Sequence, residues 1–499
     1  MGLPLPVATA CLAAVCIAAA TAHGPLEGIP HVADEIAYTL QSRLFSAGMH
    51  TGPAGDNASM LLYPFWQTAP ASFSVFPPGW PGLLALGERI GLAWLVNPVL
   101  LGLLPWLTWL LAKELTDKPQ ATLAAFLAAL SPGLWVLGAS RMAHTSVLVA
   151  LLGIAVVAQR ARDPRWAWGL AGLGLGYVVL ARPFDAFVVG LPLALWGASR
   201  TKDTLNRAAL AAPTTIALAL LGAHNLATTG SLITFAVGPY YDAWVADSGR
   251  PPGCNQLGFS ESIGCHPTLG SWGHDLGKAA QIARDSLLRL DRLALGIPGG
   301  LVLALVGAWT LGRRAWLPCL ALSGAIIGGY ALYWSPGMAY GARFYHPLYL
   351  ALPLLLAAGA TRMLGRFSLA VIAIPLLSAP SISEGLRGYW CVDGKLEQAL
   401  EAAGATEGVV FLDGTGSRKD AWPELGVEDF TCTPLLEAGD GFHLMNPTDP
   451  RAGLQPRHAL SDPTTARAYM RQLHPGSPAW IGTHDIARDK WRLEPLLVD

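Results

Sequence analysis

The sequence predicts a polytopic α-helical membrane protein with about eleven to twelve apolar helical segments and a small C-terminal α/β domain. Three observations carry this. Of 499 residues, 52% are apolar and 13% charged, about half the charged fraction of an ordinary soluble chain. Mean hydropathy is +0.40, and 18 Trp are present, a residue that gathers at membrane interfaces. Third, apolar runs of helical length recur up to about residue 380, after which the composition turns soluble. The net charge of -1 comes without a basic patch, which argues against nucleic-acid binding. No Walker loop, dinucleotide fingerprint or GxSxG elbow is present, so no soluble nucleotide at a P-loop is expected.

Residues 3–22 are apolar over about the length needed to span. A cleaved signal peptide competes, but MGLPLP carries no Lys or Arg, so an uncleaved first helix is expected. A polar loop, 23–77, follows. Apolar segments then lie near 79–94, 97–113, 119–138, 142–159, 165–181, 184–198 and 206–223, and again near 296–312, 315–334, 345–364 and 366–380. Short basic linkers at 113–118, 160–165, 200–207, 313–314 and 362–366 read as cytoplasmic. That places loop 23–77, the 138–142 turn, ARPFD at 181–185, the large loop 224–295 and WSPGMAYGARFYHP at 334–347 outside. Between loop 23–77 and Lys113 the charges allow one crossing, yet two apolar segments sit there; 79–94 is read as re-entrant or tilted.

From about 383, LEQALEAAG reads as a helix, EGVVFLDG and FHLMNP as strands, ARAYMRQLHPG as a helix and PAWIGTH as a closing strand. The expected division is a membrane domain, 1–382, and a soluble domain, 383–499, on the non-cytoplasmic side. Four of the seven cysteines fall as two pairs in polar regions, Cys254 with Cys265 and Cys391 with Cys432. Both pairs are disulfide candidates, hence an oxidising compartment.

The stretch HVADEIAYTLQSRLFSAG, 31–48, opens a short helix with Asp34 and Glu35 in its first turn, where the helix dipole favours carboxylates. Ile36, Leu40 and Leu44 share one face, expected to press into a membrane surface. A carboxylate there can take a proton from a hydroxyl; the plain alternative is that Asp34 caps the helix. Charge at membrane depth is costly and usually lines a functional cavity, which singles out Arg141 with His144, Arg182 with Asp185 as an ion partner, and Arg343 among Tyr340, Phe344, Tyr345 and His346. Arginine holds a phosphate through a planar fork of donors; the alternative for each is snorkelling to the headgroups. His23, His31, Asp34 and Glu35, or His224, His266 and His274, supply metal-ligand chemistry but no diagnostic spacing. A divalent metal is an open expectation with no ligand assigned.

HVADEIAYTLQSRLFSAG followed by FPPGWPGLLALG, then LSPGLWVLGASRMAHTSVLVALL, ARPFDAF and YGARFYHPLYLALPLLLAAG, resembles in order and spacing the GT-C integral-membrane glycosyltransferases, relatives of protein O-mannosyltransferases and lipid A aminoarabinose transferases. The resemblance covers roughly residues 1–380 and, more loosely, the C-terminal domain. It implies an inverting enzyme of the plasma (bacterial inner) membrane, moving a sugar from a polyprenyl-phosphate carrier to a lipid, glycan or protein acceptor on the non-cytoplasmic side. It puts the general base on Asp34, with Glu35 in support, and the carrier phosphate on Arg343; Arg182, Arg141, His144 and Tyr345 are the further phosphate-binding candidates.

Three other classes fit parts of the sequence. A transporter fits the intramembrane arginines, but no paired halves mark inverted repeats. A lipid-linked saccharide polymerase or ligase would centre on loop 224–295, with Arg284, Arg289 and Arg292. A non-catalytic membrane protein with an outer interaction domain would leave Asp34 replaceable.

Overall fold

The computed structural model describes residues 3–52, 65–67, 70–161, 164–246, 251–265, 272–405, 408–413, 418–422, 425, 427–432, 454–460, 462–473 and 475–498. Its contacts form two compact units. One holds 1–21, 76–80 and 95–382; the other holds 22–75, 81–94 and 383–499. Residues 23–75 of loop 23–77 thus group with the C-terminal domain rather than with the helical body.

In the first unit the apolar runs become helices. Among the described residues, Leu5–His23 (α1), Ala93–Ala112, Thr204–Thr229 and Leu352–Cys391 are long and apolar enough to cross a membrane. Two further pairs, Lys118–Leu130 with Pro132–Ala139 and Leu276–Leu295 with Gly300–Leu311, qualify jointly but bend by 46° and 83°. Each bend has a local cause. Pro132 cannot continue the preceding helix's hydrogen bonding, and Gly296 and Gly299 take left-handed φ of 86° and 110°, which glycine alone adopts freely. The helix at the start of the 79–94 segment, Gly79–Glu88, has ten residues, about 15 Å and too short to span.

Helices Gly300–Leu311 and Leu352–Leu364 cross at two glycines. A Cβ on Gly307 would meet the Leu355 carbonyl oxygen at 1.9 Å, and one on Gly359 the Leu303 oxygen at 2.1 Å. Such small-residue contacts are how helices associate where lipid removes the hydrophobic drive. Gly359→Leu is therefore expected to cost at least the 1–3 kcal/mol typical of overpacking, on the order of several degrees of melting temperature. Thermal unfolding in detergent checks this.

In the second unit, Ala33–Ser46 (α2) carries the expected apolar face, but that face does not meet lipid. Ile36, Leu40 and Leu44 pack with Trp66 and Met49 into a protein core. The two-residue strands β1 (Trp66–Gln67) and β2 (Phe73–Ser74) pair antiparallel beside it. Gln41, fully buried, fastens the arrangement. Its amide donates to the His50 carbonyl, and its carbonyl accepts from the Ser74 N–H, both at 2.9 Å.

The C-terminal domain places β3 (Gly408–Asp413), β4 (Arg418–Trp422), β5 (Val427–Cys432), β6 (Leu454–Leu460), β7 (Ala479–Asp485) and β8 (Lys490–Pro495) in two sheets. Four strands run in the order β6-β3-β7-β8, with β3 parallel to β6 and β7 and β8 antiparallel to β7. Val410 and Leu412 face Leu396 and Leu400 of helix Lys395–Ala402. Val409 and Phe411 face Ala466 and Met470 of helix Pro463–Leu473. Burial on both faces is why VVFL reads as an unbroken apolar run. PAWIGTH does not close the sheet; β8 does, adding Trp491 and Leu493 to the first core. FHLMNP lies outside the described residues. The chain is a mostly helical membrane protein with several apolar helices and a small C-terminal α/β domain.

Candidate functional site

The helical unit brings several charged residues together where helices break. Helix Arg165–Ala181 stops at Arg182, whose φ of -145° and ψ of 79° leave the helical region. Pro183 enforces this, since the residue before a proline is pushed out of the α region. The chain then re-enters a short turn at Pro183–Asp185 and a wide π turn at Ala186–Gly190. Such turns are frequent at functional sites.

Asp185 is 1% exposed and accepts a close hydrogen bond from Arg182 Nε. The Tyr330 hydroxyl donates to Asp185 at 2.5 Å and accepts from Arg182 Nη2 at 2.9 Å. Two carboxylate bonds and one hydroxyl bond thus hold a closed triangle. Removing one member of a buried charge pair strands the other. Asp185→Asn is accordingly expected to destabilise the fold by about 3–5 kcal/mol, seen as a lower unfolding midpoint in nanodiscs.

Arg343 is carried by another irregular segment. Tyr340 and Gly341 both have positive φ, 56° and 89°, and turn the chain into the 3₁₀ helix Arg343–Leu350. A Cβ on Gly341 would stand 2.3 Å from Leu293 Cδ1, so any other residue there would displace the Leu293 side chain as well as strain φ. Phe344 joins the two arginines: its ring stacks on Tyr330 at 5.1 Å and 8°. The Arg182 and Arg343 guanidiniums lie 5.7 and 5.2 Å from its centroid, within cation–π range.

The 139–143 turn is pinned from two sides. Trp80 Nε1 donates to the Arg141 carbonyl at 2.6 Å, and Asn97 Nδ2 to the Ser140 and Met142 carbonyls at 2.7 Å each. The turn presents His144, which is close enough to Arg182 and Arg343 to feel both charges. His144 and His346 stand edge to face at 6.1 Å, 3% and 2% exposed. Among the described residues, neither ring nitrogen of His144 and not Nε2 of His346 has a hydrogen-bond partner. Tyr345 is buried with its ring 6.2 Å from Tyr330.

Cys254 and Cys265 are disulfide-bonded, and their loop clamps the end of the helix that bears Tyr330. Gly258 N–H donates to the Leu332 carbonyl at 2.8 Å, and His274 Nε2 to the Ala331 carbonyl at 2.9 Å. Cys391 is disulfide-bonded as well; the side chain of Cys432, on β5, lies outside the described residues.

In the other unit, Asp34 is half-buried in the first turn of α2. Glu35 is 1% exposed, and its Oε2 accepts from the backbone N–H of His31 and Val32 at 2.8 and 3.2 Å. It is Glu35, then, that closes the helix start, doing the work expected of a cap. Both His31 ring nitrogens are engaged with carbonyl oxygens, which withdraws His31 from metal binding. Among the described residues no three His, Cys, Asp or Glu are gathered as a metal site; His266 lies outside them.

The structure thus brings Arg182, Arg343, His144 and Tyr345 into one cluster, with Arg141 on the turn beside it. Sequence reasoning missed Tyr330 and noted Phe344 and His346 only as neighbours of Arg343. A search for a hydroxyl partner to Asp185 among the apolar helices would have found Tyr330.

The fold is similar to that of solved integral-membrane proteins. The particular likeness is to ArnT from Cupriavidus metallidurans. Its structure bound to undecaprenyl phosphate is matched with a TM-score of 0.53 at 13% identity, covering 95% of this chain and 93% of that one. Its apo structure is matched at 0.54 and 12% identity, over 98% and 97%. No protein-family model matches the sequence, and no curated protein sequence does.

Proposed function

We propose that the protein is an inverting membrane glycosyltransferase that moves a sugar from a polyprenyl-phosphate carrier to an acceptor hydroxyl on the non-cytoplasmic face of a bacterial inner membrane. The observation that carries the reading is the cluster around Phe344, where two guanidiniums meet the carboxylate of Asp185 beside the buried rings of His144 and His346, three of whose ring nitrogens lack a hydrogen-bond partner among the described residues. That arrangement suits an anion, and a phosphate on a lipid is the anion a membrane-embedded site would meet. The likeness to a fold whose ArnT structure holds undecaprenyl phosphate supports the same choice.

The acceptor oxygen attacks the anomeric carbon from the face opposite the carrier. The carbon–oxygen bond to phosphate breaks, and the phosphate leaves with the electron pair. Arg343, with Arg182, Arg141, His144 and Tyr345 about it, stabilises the charge that grows on the leaving phosphate, so it lowers the transition state more than the ground state. Asp34 takes the acceptor's proton, and Glu35 holds the turn that presents it. The donor sugar is a hexose or pentose, and the acceptor a lipid, glycan or protein. The C-terminal domain is read as periplasmic or extracellular. A divalent metal is compatible with this scheme and carries no step in it.

The test is release of polyprenyl phosphate from a panel of polyprenyl-phosphate sugars by the purified protein in nanodiscs. Release with at least one donor and acceptor supports the reading. No release with any, by a folded protein, returns the transporter and scaffold readings.

A further inference from the structure

An arginine and a carboxylate frequently meet in a two-pronged pair, two parallel N–H groups on two oxygens. Arg182 and Asp185 meet differently. One prong is direct, from Nε to Oδ2. On the other a hydroxyl stands between them: Arg182 Nη2 donates to the Tyr330 oxygen at 2.9 Å, and that hydroxyl donates to Asp185 Oδ1 at 2.5 Å. A tyrosine hydroxyl both donates and accepts, so Tyr330 serves the two partners at once.

Packing delivers the hydroxyl to that place. Tyr330 is 4% exposed, stacked on Phe344 and edge to face with Phe184 at 5.0 Å. Its helix, Arg313–Ala331, comes close to the π turn because Gly329 has no side chain. A Cβ there would stand 2.8 Å from Val188 Cγ2. Just beyond, Gly258 and His274 hold the Leu332 and Ala331 carbonyls.

We propose that Tyr330 is a positioning residue, a wedge that keeps the second prong of Arg182 off Asp185 and so keeps that guanidinium available to the carrier phosphate. The proposal rests on the reading of Arg182 as a phosphate ligand. Its physical basis is the partner that Nη2 has before the carrier arrives. Hydrogen bonds between two ionised groups are about twice as strong as those to a neutral group. With Tyr330 in place, Nη2 exchanges a neutral hydroxyl for a phosphate oxygen and gains by it. Closed directly on Asp185, the same nitrogen would exchange one anion for another and gain little. The hydroxyl also satisfies Asp185 Oδ1 with a neutral donor, while the guanidinium stays 5.7 Å from the Phe344 centroid, the ring it shares with Arg343.

The experiment compares wild type with Tyr330→Phe, as full chains in nanodiscs labelled with ¹⁵N-arginine. The signals lost in Arg182→Lys are those of Arg182. Phenylalanine keeps the ring and its stacking and removes only the hydroxyl. Without ligand, an Arg182 Nη proton is expected to move downfield in Tyr330→Phe, as that nitrogen closes on Asp185. Undecaprenyl phosphate, the probe, is added to the bilayer at increasing mole fraction. It is expected to bind Tyr330→Phe about tenfold more weakly than wild type, the scale of one charge-assisted hydrogen bond. In an Arg182→Lys background, whose single nitrogen forms no fork, Tyr330→Phe should weaken binding no further.

Unchanged Arg182 signals in Tyr330→Phe overturn the proposal. An equal loss of binding in both backgrounds does so too, since it makes Tyr330 a packing residue only. If Tyr330→Phe does not fold, wild type still decides: the probe should move the Arg182 Nη signals and leave Nε, which stays on Asp185, and unmoved Nη signals overturn the wedge. Spectra and binding as expected, with no donor turned over by wild type, would overturn the transferase reading while the wedge stood. Transfer by wild type, with Arg182 signals alike in the two proteins, would do the reverse.

Discussion

Asp34→Asn is expected to lower sugar transfer by about 10²–10⁴-fold, the range of a positioned general base. Asparagine keeps the size and half of the hydrogen-bonding capacity of the carboxylate but does not take the acceptor's proton. The loss therefore falls on kcat, with donor KM little changed, because the interaction removed matters in the transition state. The fold is spared: the α2 turn is closed by Glu35, through the backbone N–H groups of His31 and Val32, and Asp34 is half-exposed in front of it. Steady-state kinetics alongside a thermal unfolding curve separate the two effects. Retained activity would move the base elsewhere, and Glu35 is then poorly placed, since its oxygen is already bonded within the turn.

The second large effect is at Arg343. Arg343→Ala is expected to lower transfer by about 10²–10³-fold, the scale of removing one donor from a developing anion. Arg343→Lys should recover only part of it, since an ammonium keeps the charge but not the planar fork. Removal also strips the cation from one side of Phe344, where the two guanidiniums approach the ring at 5.2 and 5.7 Å. Rates measured with saturating donor distinguish the outcomes. A fall in kcat places Arg343 on the leaving phosphate, and a rise in KM alone would reduce it to carrier docking.

Much of the fold was legible because the bilayer imposes a coarse rule: apolar runs become helices. The rule says less about where they break. Apolar segment 184–198 contains the π turn at Ala186–Gly190, which no residue pattern announced. Arg182 and Asp185 stood out because charge in an apolar stretch is rare. Tyr330 did not, because a tyrosine in AIIGGYALYW reads equally as an interfacial anchor, and only the third dimension puts its hydroxyl on Asp185. The periodicity of Ile36, Leu40 and Leu44 was real, but a one-sided apolar face does not say what covers it. Trp66 and Met49 do, from a part of the loop with no periodic signal of its own. The strand β8 was overlooked because KWRLEP is short and highly charged; its alternating Trp491 and Leu493 pack inward.

The Arg182–Asp185 pair has a consequence for biosynthesis. The two residues are three apart, so they meet as soon as their own stretch of chain is made, whereas Tyr330 arrives 148 residues later. At about 5–20 residues per second, the segment waits on the order of ten to thirty seconds for that hydroxyl. During the wait the lipid sees a neutralised pair rather than a lone guanidinium, which is far less costly to insert. The translocon can therefore hand the 165–200 hairpin to the bilayer early, with its charge already cancelled, and leave the charge cluster around Phe344 to assemble when the late helices arrive.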